Sequence, residues 1–347
     1  MTLKKMTSME RVLTTLSHKE PDRVPQFLLL TMHGAKELGL SIKEYFSKAE
    51  NVIEGQLRLR EKYSNDCYYP FFYAPLEVEA FGAEVIYSED GPPNSGEPFL
   101  KSIDEIMKLE APKVSDVKVL HKVLDTISAL EKKSKGEVPI IGVVMSPFSL
   151  PVMQIGFEKY LEILCFYPEA FNRLMEINMA FCTEWANAQL HAGATALCYY
   201  DPVSSPSMIT KKQYLDTGFK VACDTIAQIK GPTASHFASG RTIPIIPELA
   251  KTGTAAIAVS TDEDLKEVKE LCAGKLTVLG NLNGIEMRKW SDSMASEIVK
   301  DAIYKAGPGG GFILSDNHGE IPYQVEDEII TAISETVIEF GRYPIKL

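Results

Sequence analysis

Two histidines in this chain stand where chemistry is most easily built. One closes the run Ala234-Ser235-His236-Phe237-Ala238-Ser239, and the other follows the run Gly311-Phe312-Ile313-Leu314-Ser315-Asp316-Asn317-His318-Gly319. Each run is short, apolar and strand-like, and the carboxyl end of a buried strand is where parallel α/β folds place their active sites. Neutral imidazole is the commonest protein metal ligand, so the pair reads first as a metal site. Catalytic zinc usually takes three protein ligands. Asp201, in Cys198-Tyr199-Tyr200-Asp201-Pro202, is the best-placed third ligand or proton donor, with Asp316 and Glu320 as alternatives. Simpler readings stand beside these: His236 as a core histidine, His318 as a turn residue, and Asp201 as a turn-forming Asp-Pro. The other histidines offer less. His33 ends the first strand-like run, whereas His18, His121 and His191 fall in polar helical stretches.

Stepping along the chain shows what must position these groups. From about residue 139, β-branched apolar runs (139–145, 194–200, 233–237, 255–259, 276–280, 311–314) alternate with helical stretches such as 158–191, 211–229, 262–272 and 293–306. That alternation predicts a parallel sheet covered by helices. Two earlier runs, 24–30 and 66–70 after a helix over 53–62, bring the number to eight, the count that closes a (β/α)8 barrel. Residues 71–138 exceed one crossover. They are expected to form an excursion after the second strand, with a strand over 83–88 and a Gly/Pro-rich turn at 90–96. The opening segment, 1–24, reads as a helical extension. The whole chain, 1–347, is expected to be one domain of this kind.

In such a barrel the pocket gathers at the strand ends. His33, Met145, Tyr199 and Tyr200 would then contact substrate, and Asn281 would orient it or a ligand. Met32, Phe71, Phe72, Ser146, Ser239, Ser260, Asn283 and Asp316–His318 complete the expected lining. Gly307-Pro-Gly-Gly-Gly311 precedes a strand and lacks a following Lys-Ser/Thr, so it is a connection and not a phosphate cradle. Neither GxGxxG nor GxSxG occurs.

Composition sets the limits. The chain has 347 residues, 45% hydrophobic and 24% charged, with a net charge of −11 that argues against a nucleic-acid partner. Its six cysteines form no CxxC pair and read as reduced core residues. No apolar run reaches the ~18 residues of a membrane span, so a cytoplasmic protein is expected.

The same residues resemble a known superfamily over almost the whole length. The correspondence runs through Glu20-Pro-Asp-Arg-Val-Pro25, Glu77-Val-Glu-Ala-Phe-Gly-Ala-Glu-Val85, Gly156-Phe-Glu-Lys-Tyr160 and Ala186-Asn-Ala-Gln-Leu-His-Ala-Gly-Ala194. It continues with Asp201-Pro-Val-Ser-Ser205, Val278-Leu-Gly-Asn-Leu282 and Gly311-Phe-Ile-Leu-Ser315. In this order the segments resemble the uroporphyrinogen decarboxylase superfamily, in particular its methylcobamide:coenzyme M and related corrinoid-dependent methyltransferases. The resemblance implies a (β/α)8 barrel, in agreement with the strand count. Decarboxylases meet a polycarboxylate with an arginine-rich motif after the first strand. Here that stretch, Phe27-Leu-Leu-Leu-Thr-Met-His-Gly-Ala35, has no arginine.

The methyltransferases carry zinc on a His-x-Cys pair and a distant Cys-Gly. The resemblance places His236 at the first ligand, Ala238 at the first cysteine and His318 at the second. With both thiolates replaced, the resemblance implies a zinc ion suited to an oxygen leaving group more than to thiol activation. The expected enzyme is a zinc-dependent methyltransferase. It would move a methyl group from a small donor, an ether or alcohol, to the Co(I) corrinoid of a partner protein. No corrinoid-binding Asp-x-His-x-x-Gly segment occurs in the chain itself. Two alternatives remain open: a methylcobamide:thiol methyltransferase with an altered zinc site, and a non-catalytic corrinoid- or tetrapyrrole-binding barrel.

Overall fold

A computed structural model describes residues 6–345; Met1–Lys5 of the expected opening helix and the last two residues of the expected domain lie outside them. The strands are β1 (Gln26–Phe27), β2 (Val85–Ile86), β3 (Asn94–Ser95), β4 (Ile141–Met145), β5 (Ala196–Tyr200), β6 (Thr233–His236), β7 (Ala256–Ala258), β8 (Thr277–Leu282) and β9 (Phe312–Asp316). Seven of them form one parallel sheet in the order β1-β9-β8-β7-β6-β5-β4. The extended segment 66–70 closes the gap between its edges. Asp66 N–H donates to the Gln26 carbonyl, and Tyr68 pairs in parallel with Ile140. The architecture is the expected (β/α)8 barrel, with all eight runs in their expected places.

The seam on either side of residues 66–70 is stitched by side chains. The Gln189 carboxamide takes both the N–H (3.0 Å) and the carbonyl (2.8 Å) of Val143. Gln56 accepts from Tyr69 N–H, and Asn65 accepts from Leu28 N–H. Each amide supplies hydrogen bonds that a ladder would otherwise make, so the backbone is satisfied without regular pairing. The same effect shortens β1 from the expected 24–30. Beyond Phe27 the N–H groups of Leu28, Leu29 and Met32 donate to Asn65, Asp316 and Glu320.

Alternation along each strand divides the core. Cys67, Tyr69, Val143, Cys198, Ala258, Leu279 and Ile313 fill the barrel interior. Val144, Leu197 and Tyr199 face outward into a cluster with Phe181 and Trp185 from the long helix 168–192. Both faces are buried, which is why the strands read as continuous apolar runs. The amino end is plugged by the helix Ser8–Leu16, whose Val12 and Leu16 pack on the interior residues.

Two expected helices are broken. The stretch 158–191 is Phe157–Phe166 followed by Pro168–Ala192, because Pro168 lacks the N–H that continuation requires and starts a new helix. The stretch 211–229 is divided at Thr217 into Lys211–Asp216 and Gly218–Ile226. The excursion after the second barrel strand carries the β2–β3 hairpin, followed by helices 103–108 and 118–134. Residues 307–311 connect helix 292–306 to β9, as expected. Among the described residues no helix is long and apolar enough to cross a membrane.

Candidate active site at the carboxyl end of the barrel

Strand register sets the centre of the site. Met145 lies opposite Tyr200, and Tyr200 lies opposite His236, so three of the expected residues share one row across β4, β5 and β6. Tyr200 stacks on the His236 ring with centroids 4.3 Å apart and lies parallel to Phe71 at 6.5 Å. The mouth therefore presents a layered aromatic shelf with Met145 at its edge. Tyr199, expected beside Tyr200, is instead buried on the outer face of β5, because neighbouring strand residues point to opposite sides.

His236 is buried, and burial, with His318 nearby, pushes its pKa down to about 3. Its Nδ1 accepts a hydrogen bond from Ala238 N–H at 2.9 Å. A neutral imidazole that accepts at Nδ1 carries its proton on Nε2, so the free nitrogen is a donor and not a lone pair.

His318 is fixed by the same kind of argument. Asn283 Oδ1 already accepts from the backbone N–H of Glu286 at 3.1 Å, which settles the orientation of its amide. His318 Nε2, 3.0 Å from that oxygen, is therefore the donor. Its Nδ1 is then an acceptor, and its partner is the Ser239 hydroxyl. Burial lowers the His318 pKa.

Asp201 does not join the histidines. Its backbone N–H donates to the His236 carbonyl at 2.7 Å. Its carboxylate turns away, and Oδ1 accepts from Ser146 Oγ (2.5 Å) and Ser149 Oγ (2.8 Å). Burial raises its pKa while these hydroxyls oppose the shift. Asp201 thus ties the loop after β4 to the end of β5. Neither histidine offers a free lone pair, and among the described residues no cluster of three His, Cys, Asp or Glu side chains could hold a metal. This arrangement does not fit the expected zinc set of His236, His318 and Asp201.

Asn281 donates from Nδ2 to the Ser260 carbonyl at 2.9 Å, so it braces the loop after β7. His33 is buried at the start of helix 33–38 against Tyr323, its pKa pushed by burial down to about 3.

Three acids that the sequence did not single out for their protonation ring the mouth. Glu77 Oε1 accepts from Met145 N–H at 3.0 Å, and burial lifts its pKa to about 7. Asp316 accepts from Leu29 N–H, leaves Oδ2 unpartnered, and is raised to about 7 by burial. Glu320 accepts from Met32 N–H and is raised to about 8, with Asp316 adding to the effect of burial. The sequence signal was weak, since Glu77 sits in a helix where acids normally meet solvent.

A cleft of about 790 Å³ lies at the opposite end of the barrel around Arg11, Asp22, Arg23, Arg60 and Asp66. Arg11 and Arg23 are paired with Asp22 and Asp66 there, so the cleft is a structural clasp.

Among solved structures, a methyltransferase from Methanosarcina mazei superposes with a TM-score of 0.87. It covers 97% of this chain and 99% of its own at 19% identity. A B12-independent methionine synthase from Shewanella superposes with a TM-score of 0.56 at 13% identity, covering 94% and 98%. Both likenesses are of fold. Among sequence relatives, a uroporphyrinogen decarboxylase of Idiomarina loihiensis is 21% identical over 96% of each chain. One from Helicobacter pylori is 27% identical over 72% of this chain and 78% of its own. The family model for uroporphyrinogen decarboxylase matches residues 7–340, and the chain belongs to that family.

Proposed function

We propose that this chain is a methyltransferase that takes a methyl group from a small uncharged donor, an ether or alcohol, for the corrinoid of a separate protein. The observation that carries this reading is the absence of guanidinium groups where a polycarboxylate would need them. Leu28–Met32 after β1 are buried and, Thr31 apart, apolar. The two arginines between Thr31 and Phe72 lie elsewhere. Arg58 pairs with Glu54 on an exposed helix face, while Arg60 lies over Tyr68 and donates to Ser8 Oγ near the amino end. A porphyrinogen carrying many carboxylates would meet buried acids at this mouth, and the stretch after β1 offers its carboxylates no guanidinium.

A small neutral donor fits better. The Phe71–Tyr200–His236 shelf offers it a flat apolar face, and Met145 closes one side. The partner's reduced corrinoid supplies the nucleophile that receives the methyl group. This chain then has two tasks, to hold the donor in line and to help a poor alkoxide leaving group depart. His236 Nε2–H serves as the donor toward the departing oxygen, and a carboxyl that keeps its proton near neutrality, such as Asp316, supplies the proton. No step requires zinc.

The test pairs the purified protein with a reduced corrinoid protein and a panel of methyl ethers and alcohols. Methyl–cobalt formation should appear in the corrinoid spectrum. His236→Phe, which keeps the stack and removes the donor, should slow it by roughly 10²-fold. Carbon dioxide release from uroporphyrinogen would overturn the reading. Thiol methylation from methylcobalamin with no ether or alcohol demethylation would replace it with transfer in the thiol direction.

A further inference from the structure

The geometry points to Ser239 as an activated nucleophile, with His318 as its base and Asn283 holding the base, a site that would take acyl groups from small neutral esters. This goes beyond methyl transfer and does not depend on it.

Three loops bring the groups together. Ser239 follows β6, His318 follows β9 and Asn283 follows β8. The proton positions are fixed by backbone groups, as derived above. Glu286 N–H orients the Asn283 amide, Asn283 Oδ1 takes the proton of His318 Nε2, and His318 Nδ1 is left to accept from Ser239 Oγ. A hydroxyl that donates to a neutral, oriented imidazole is the arrangement nucleophilic serines require.

The turn that carries Ser239 is built to hold it. Ala238 adopts φ +49°, the left-handed region that costs a residue with a side chain. Gly240 admits nothing larger, since a Cβ there would lie 2.5 Å from the Ser205 side chain. The Ser239 carbonyl accepts from Ser260 Oγ at 3.0 Å, and Ser260 is in turn braced by Asn281. Gly240 N–H donates to the Phe237 carbonyl at 2.9 Å, and Ser205 Oγ donates to the Arg241 carbonyl at 2.9 Å. The hydroxyl itself remains exposed at the mouth. A strained, cross-braced turn presenting one hydroxyl to one oriented histidine has no evident packing purpose.

The chemistry balances with water as the only co-reactant. Ser239 Oγ bonds to the carbonyl carbon of the ester while its proton passes to His318 Nδ1, and Asn283 Oδ1 steadies the resulting imidazolium through Nε2–H. The C–O bond to the alcohol breaks, and the departing oxygen takes that proton. Water then attacks the acyl-serine, gives its proton to His318, and releases the carboxylic acid with Ser239 restored. The aromatic shelf beside the turn suits an uncharged, apolar or aromatic acyl group, and the neighbouring acids disfavour an anionic one.

An aryl or alkyl fluorophosphonate tests this directly in the whole protein, because it phosphonylates activated serines with loss of fluoride. Peptide mapping should find the label on Ser239, and Ser239→Ala should lose it. His318→Gln should slow labelling by roughly 10²-fold or more, the usual share of a general base. Asn283→Ala should slow it less and Asn283→Asp should restore it, a pattern that mere packing would not give. Thermal unfolding of each variant reports whether it is folded; if His318→Gln is not, the Asn283 pair decides. Label distributed over other serines, or a Ser239 rate indifferent to His318 and Asn283, would overturn the assignment.

Discussion

Replacing Glu77 by Gln should make the protein more stable, and increasingly so as pH rises. Glu77 is 3% exposed, receives Met145 N–H at 3.0 Å, and forms no ion pair among the described residues. Burial lifts its pKa from 4.5 to about 7, against hydrogen bonds that favour the charged form. Its folded-state pKa lies above the unfolded one, so its contribution is fully present below about pH 4.5 and is lost as pH rises through about 7. Between those values the unfolded chain sheds a proton that the folded chain keeps, costing ~1.4 kcal/mol per pH unit. Saturated, the penalty is roughly 3 kcal/mol; between about pH 5 and about pH 8 it grows by ~2.5 kcal/mol. Glutamine keeps the acceptor for Met145 and cannot ionise, so the advantage of the variant should widen by that amount. Urea unfolding of both proteins at the two pH values, followed by the fluorescence of buried Trp185, measures the double difference. A difference that does not change with pH, or that shrinks, would refute the claim that this carboxyl is held neutral by burial.

Two further outcomes concern the frame. Asp66 is 1% exposed and accepts from Arg11, Arg23, Ser8 Oγ and Gln26 N–H, so Asp66→Ala should cost roughly 3 kcal/mol by stranding buried donors, read as a lowered urea midpoint. Gly34→Ala should destabilise by ~1–3 kcal/mol despite the better helix propensity of alanine, because its Cβ would lie 2.2 Å from the buried Tyr45 hydroxyl. Tyr45→Phe should recover part of that loss in thermal melts, because it removes the atom that the new Cβ would meet first.

The barrel was legible because its strands are buried on both faces, which leaves β-branched runs that stand out between amphipathic helices. The lengths of those strands were not. Whether Leu28 continues a ladder depends on Asn65 reaching its N–H, and no run of residues states that. The break at Tyr167-Pro168 was written in the sequence, yet the helical periodicity on both sides obscured it. Which tyrosine faces the pocket was also recoverable. Ala196, Cys198 and Tyr200 form one face of β5 with smaller inward residues below, and Tyr199 belongs with Leu197 on the other. Glu77 escaped notice, and the protonation of Asp316 and Glu320 with it, because a carboxyl in a helix or a turn has the same letter whether solvent or a backbone amide receives it.

The histidines show where residue type stops deciding chemistry. At a strand end an imidazole can bind a metal, move a proton or donate a hydrogen bond, and the choice rests on which nitrogen carries hydrogen. Here two backbone N–H groups make that choice. Ala238 N–H reaches His236 only because the turn passes through a left-handed residue. Glu286 N–H reaches Asn283 because a short helix begins just after β8. Both fix a tautomer, and both do so through conformation. A sequence with cysteines at 238 and 318 would announce metal by composition alone. With Ala238 and His318 in those places, residue type no longer names the chemistry, and the hydrogen bonds of two turns set which nitrogen of each ring carries the proton.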